Sequence, residues 1–241
     1  MNIVFIEISM NLQPSMIIDG VPSVTLGTLN SSLRSDFQPV SDDLDGTRLW
    51  RRRLFEAEAG LTRFVAEMRA GTQMEELLQT KRAIFEQLPE DEDEAEWKAA
   101  FFRGQALMER FVVRSFGLEQ LAAWAAANST IYAAVDAEPK HDATVPLRRL
   151  DEQATLYGSE RAWVEYGSGI STLRIRHCAI WDYREQARSR GVELTLKAPC
   201  EYCVPATTAM ITNKGLHATH ELTEAADGPG CIWTASQLRP C

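Results

Sequence analysis

Residues 173–233 read LRIRHCAIWDYREQARSRGVELTLKAPCEYCVPATTAMITNKGLHATHELTEAADGPGCIW. Leu173 and Ile175 alternate with Arg174 and Arg176, the two-residue period of a half-buried strand. IWDYREQARSRG is a short amphipathic helix closed by Gly191. VELTLK reads as a short extended piece or a loop. Pro199 suits a first helical turn, so CEYCVPATTAMITNKG is a second helix ending at residues 213–215. Pro205, in its early turns, is expected to kink the helix or delay its start. LHATHELTEA alternates like a strand, DGPG is a turn, and CIWTAS is the returning strand of a hairpin. Strand, two helices and a hairpin in this order predict an antiparallel sheet with two connecting helices.

Working outward, residues 147–178 read as β-structure, with turns at Gly158-Ser159 and Gly167-Ser168-Gly169. Further upstream the period becomes helical. Asp45-Gly46-Thr47 starts a helix, and Leu49, Leu54, Phe55, Leu61, Phe64, Val65 and Met68 recur at three- and four-residue spacing. The Arg51–Arg53 run is read as a solvated face. A second helix ends at Pro89, and the acidic run over residues 90–96 suits the positive end of a third. Residues 94–135 are helical, with breaks expected near Gly104 and Gly117. Their aromatic residues form a core stripe, and Trp124 and Tyr132 are candidates to line a pocket at the helix ends. Residues 137–146 read as a linker, with His141 exposed and idle. The expected architecture is α+β, an N-terminal helical layer packed on the C-terminal antiparallel sheet. It divides into an irregular N-terminal arm (1–46), a helical region (47–145) and a cysteine-containing α+β region (146–241), the last two forming one domain.

The 241 residues carry a net charge of −9. That balance argues against non-specific nucleic-acid binding and against docking to an anionic membrane. No apolar run of about 18 residues or more offers a membrane span. Five cysteines, an odd number not spread as a disulfide framework, point to reduced thiols and a cytoplasmic setting. The reading allows a homodimer.

Four of the five cysteines and three of the four histidines fall within residues 173–233. Cys200 and Cys203 form a C-x-x-C pair at a helix start, where the dipole favours thiolate. With Cys178 and Cys231 they would suffice for a four-thiolate zinc or iron–sulfur site. A redox disulfide, or burial as small hydrophobes, are the other readings of the same residues. His217 and His220, three apart on a strand, face opposite sides and cannot ligate one ion together. His220 beside Glu221 is an acid–base candidate, and Asp182 would orient a base or cap its helix. Arg174, Arg176 and Arg184 supply the local basicity that a small carboxylate would need.

RIRHCAIWDYREQARSRG, APCEYCVPATTAMITNKG and HATHELTEAADGPGCIW together resemble the L-2-amino-thiazoline-4-carboxylic acid hydrolase family, over roughly residues 110–235 and best after 170. The shared pattern is a strand ending in Cys, a helix closed by Gly, a second Cys opening a helix, then a hairpin carrying a third. The matching residues are Cys178, Cys200 and Cys231. Ala179 stands where the family usually has Pro, and Cys203 where an acidic residue is frequent. The resemblance implies hydrolytic opening of a small heterocycle at an isothiourea carbon, either by thiolate attack or by water on a thiolate-bound metal. On that reading Cys200 is the nucleophile, assisted by Cys178. His220 or Asp182 moves protons, and Arg176, Cys231, Tyr202 and Trp181 hold the substrate. The alternative is a non-enzymatic small-molecule, zinc or iron–sulfur binding or sensor domain.

Overall fold

The computed structural model describes residues 45–90, 93–135, 139–225 and 228–238. All but the last two residues of the expected N-terminal arm lie outside them. Helix α1 (Gly46–Glu67) begins where Asp45 Oδ1 accepts the Arg48 backbone N–H at 3.1 Å. Its apolar face, including Trp50, Leu54, Leu61 and Phe64, is fully buried. Helices α2 (Met74–Phe85), α3 (Glu94–Phe116) and α4 (Leu121–Val135) pack with it into one aromatic-rich cluster. Asp93 caps α3 through the Glu96 N–H at 2.9 Å, as the acidic run suggested. The expected break near Gly104 is absent, and α3 runs through it. A Cβ there would sit 2.6 Å from Leu54 Cδ1, so the glycine serves close helix packing. Gly117, at φ 95°, does end the helix.

The stretch after Pro146 differs most from expectation. Helix α5 (Thr144–Tyr157) replaces the first half of the predicted β-structure. Asp142 Oδ1 accepts the Thr144 N–H at 2.9 Å, Pro146 occupies the first turn, and Gly158 closes the helix at φ 83°. Leu147, Leu150 and Ala154 are buried at helical spacing. The strands are β1 (Glu160–Tyr166), β2 (Ile170–His177), β3 (Leu216–Ala225) and β4 (Gly228–Gln237). They pair antiparallel in the order β1-β2-β4-β3. Helices α6 (Ala179–Ser189) and α7 (Cys200–Asn213) connect β2 to β3, and residues 192–198 between them form a loop. Pro205 sits inside α7 without delaying its start. The structure is thus α+β, with N-terminal helices and a C-terminal antiparallel sheet. No helix among the described residues is long and apolar enough to cross a membrane.

Leu173, Ile175, Ile211, Leu216, Trp233 and Ala235 form a second core beneath α5 and α7. Two charge readings change. Arg53 is 4% exposed, so it does not belong to a solvated face. It points inward with Glu56, because the α1 stripe is wide enough to bury one opposite-charge pair. His141 is exposed but engaged, its backbone N–H donating to Lys214 O at 2.8 Å and its ring Nδ1 lying 3.3 Å from Gly215 O.

Candidate functional site

Where the two cores meet, a cavity of about 200 Å³ opens. Drug-sized pockets run to about 300–1,000 Å³, so this one takes a smaller molecule. Its walls are mostly apolar and aromatic, with Phe101, Phe102, Trp181, Tyr183 and Trp233 among them. All four described cysteines line it, and all four are free thiols.

The chain brings these thiols together from three elements. Cys178 follows β2 and is the N-cap of α6, with its N–H on Pro229 O at 2.9 Å. Cys200 is the first residue of α7 and Cys203 lies one turn on. Cys231 sits on β4, paired across to Ile175 and Leu222. The helix-start placement of Cys200 is as expected, but its acidity is the reverse. Burial raises its pKa, outweighing the Trp181 indole N–H hydrogen-bonded to its sulfur. Burial likewise raises Cys178 against the backbone N–H groups of Ile180 and Trp181. Cys203 and Cys231 are pushed up to about 12, by burial first and then by neighbouring thiols. Among the described residues no three His, Cys, Asp or Glu side chains are grouped to hold a metal ion.

Tyr202 and Trp181, read as substrate-binding, line the cavity with the cysteines. Tyr132 also lines it, whereas Trp124 does not. Three other expected site residues are elsewhere. His220 is exposed, its ring stacked on Trp233 at 4.9 Å between centroids, on an edge strand. Asp182 faces outward from the first turn of α6, with Oδ2 2.5 Å from His177 Nε2. Arg176 is exposed because it alternates with the buried Ile175. Arg174 is exposed for the same reason. Arg184 is instead buried, with Nη1 3.2 and 3.3 Å from the two Glu109 oxygens and Nη2 donating to Leu196 O at 3.0 Å.

Glu109, Arg53, Arg149, Gln153 and Tyr157 are further polar lining residues that the sequence reading does not single out. Arg53 binds Glu56 and Glu152 at 3.0 and 3.1 Å. Arg149 also reaches Glu56, and its guanidinium lies 3.9 Å from the Tyr132 ring centroid. Asn128 Nδ2 donates to the Tyr202 hydroxyl, and burial holds that phenol well above its ordinary pKa. The sequence signal for these groups is weak: each is a polar residue at helical spacing within an apolar stripe, as with Phe102, Gln105 and Glu109.

Comparison of the chain with protein-family models, curated proteins and solved structures finds no match in any of the three.

Proposed function

We propose that this chain is a small-molecule hydrolase that opens a C–N bond of amidine or isothiourea type, with Cys200 as nucleophile. The observation that carries the reading is the placement of Cys200. It opens α7 in the wall of the cavity, with the Trp181 side chain hydrogen-bonded to its thiol. The resemblance of the three cysteine-bearing segments to L-2-amino-thiazoline-4-carboxylic acid hydrolases supplies the reaction class. The half-buried thiol starts neutral, and a basic amidine substrate suits it. The sulfur bonds to the amidine carbon, the thiol proton ends on the ring nitrogen, and the C–N electron pair leaves with that nitrogen as an amine. Water then adds to the enzyme-bound carbon, and Cys200 departs with a proton from that water. Trp181, Tyr202, Cys178 and Cys231 line the cavity with Cys200, and the step uses only the chain's residues and water. The free thiols suit a reducing, cytoplasmic setting.

The test is turnover of 2-aminothiazoline-4-carboxylate and a panel of cyclic isothioureas, with products identified by mass spectrometry. Cys200→Ser is expected to lower kcat by at least ~1,000-fold, the scale of losing an essential nucleophile. A Cys200→Ser protein with unchanged turnover removes the assignment. A second reading, a non-enzymatic binding or sensor domain, draws on the raised pKa of all four thiols. It predicts saturable binding of the same molecules without product.

A further inference from the structure

Thiol attack on an amidine requires a proton to travel from sulfur to nitrogen. His220 and Asp182, the side chains expected to carry it, lie outside the cavity. Among the lining residues there is no histidine, and Glu109 is the single carboxyl group. We propose that Glu109 is the proton-transfer residue of this site. The inference rests on the hydrolase reading and adds to it a residue on the helical half of the molecule.

The placement follows from three elements. Helix α3 presents Glu109 at 3% exposure. Helix α6 brings Arg184 Nη1 to 3.2 and 3.3 Å from its oxygens, which fixes the carboxyl plane. Helix α7 contributes Cys200 and Tyr202 to the same cavity lining as Glu109. Arg184 Nε is buried in the cavity wall with no hydrogen-bond partner, leaving a donor there for a ligand atom. Burial raises the Glu109 pKa, more than Arg184 lowers it, and Glu201 adds to the rise. In the proposed step the resting carboxyl carries the proton.

The step balances without an added reactant. Glu109 gives its proton to the ring nitrogen, and its carboxylate receives the Cys200 S–H proton as the S–C bond forms. The C–N pair leaves with nitrogen, and the carboxyl group is regenerated. General acid–base groups of this kind contribute about 10²–10⁴-fold.

The experiment pairs infrared difference spectroscopy with kinetics on 2-aminothiazoline-4-carboxylate. The wild type should show a protonated-carboxyl band at neutral pH that Glu109→Gln lacks. Glu109→Gln should lose about 10²–10⁴-fold in kcat with KM nearly kept, along with the alkaline limb of the pH–rate profile. The double variant Glu109→Gln, Arg184→Gln removes both partners of this contact together, and should be as inactive while folded. A wild type that turns over substrate but lacks the band overturns the Glu109 assignment and leaves the hydrolase reading standing. Undiminished turnover by Glu109→Gln does the same. A band without turnover of any probe overturns the hydrolase reading, and the proton-transfer role falls with it.

Discussion

Replacing Glu56 by alanine is expected to cost the fold about 3–5 kcal/mol, the scale for removing one partner of a buried ion pair. Glu56 is 5% exposed and accepts from Arg52 at 2.7 Å, Arg53 at 3.0 Å, and Arg149. Arg53 and Arg149 are themselves 4% and 9% exposed. Without Glu56, Arg53 would keep only the partly exposed Glu152 among these carboxylates. Burial alone would raise the Glu56 pKa, but Arg149, Arg53 and their hydrogen bonds win and hold it lowered. A lowered folded pKa means stability present above the ordinary carboxylate range and lost as pH falls through it. Urea unfolding of wild type and Glu56→Ala should therefore differ greatly at neutral pH and converge on acidification. A near-zero difference at neutral pH would show that this network does not hold α1 to α5.

The second large effect lies at the other end of the pH scale. Cys203 and Cys231 are raised from 9.0 to about 12. In the unfolded chain they ionise near their ordinary value, so above pH 9 the unfolded state holds fewer protons than the native one. Stability must then fall as pH rises, until the folded pKa is reached. At pH 10 the loss is about 1.4 kcal/mol for each thiol, roughly 3 kcal/mol for the pair. Urea midpoints at pH 7 and pH 10 measure it, and replacing both residues by alanine should flatten the difference. An equal pH slope in that double variant would mean the two thiols titrate freely in the folded protein.

Much of this architecture can be read from residue order. The Leu173–Ile175 alternation, Gly191 and Pro199 mark β2, α6 and α7 because each is a local signal, whereas residues 228–230 of the expected DGPG turn already pair with residues 223–225 as the start of β4. Helix α5 is masked by its neighbour: ERAWVEY is strand-like and closely follows LRRLDEQATLY, where Leu147, Leu150 and Ala154 carry the helical period. The cavity's thiol side was legible because cysteine is rare and the four residues cluster. Its other side was not, since Glu109 and Arg53 look like ordinary surface charges until α3 and α6, or α1 and α5, are brought together. Arg176 could have been set aside from sequence, since a residue alternating with a buried Ile175 faces away from the core. His220 required the sheet order, because only the edge position of β3 leaves its ring outside the cavity.

The most direct test of the account is covalent labelling with chloroacetamidine, a small amidine whose carbon–chlorine bond alkylates a neighbouring thiolate. At substoichiometric reagent and neutral pH, peptide mapping should place a single adduct on Cys200, with Cys178, Cys203 and Cys231 unmodified. Labelling at Cys200 should outpace the amide analogue chloroacetamide, because the amidine seats in the cavity. An adduct spread evenly over the four cavity cysteines, or no preference for the amidine, would contradict Cys200 as the nucleophile of an amidine-binding site.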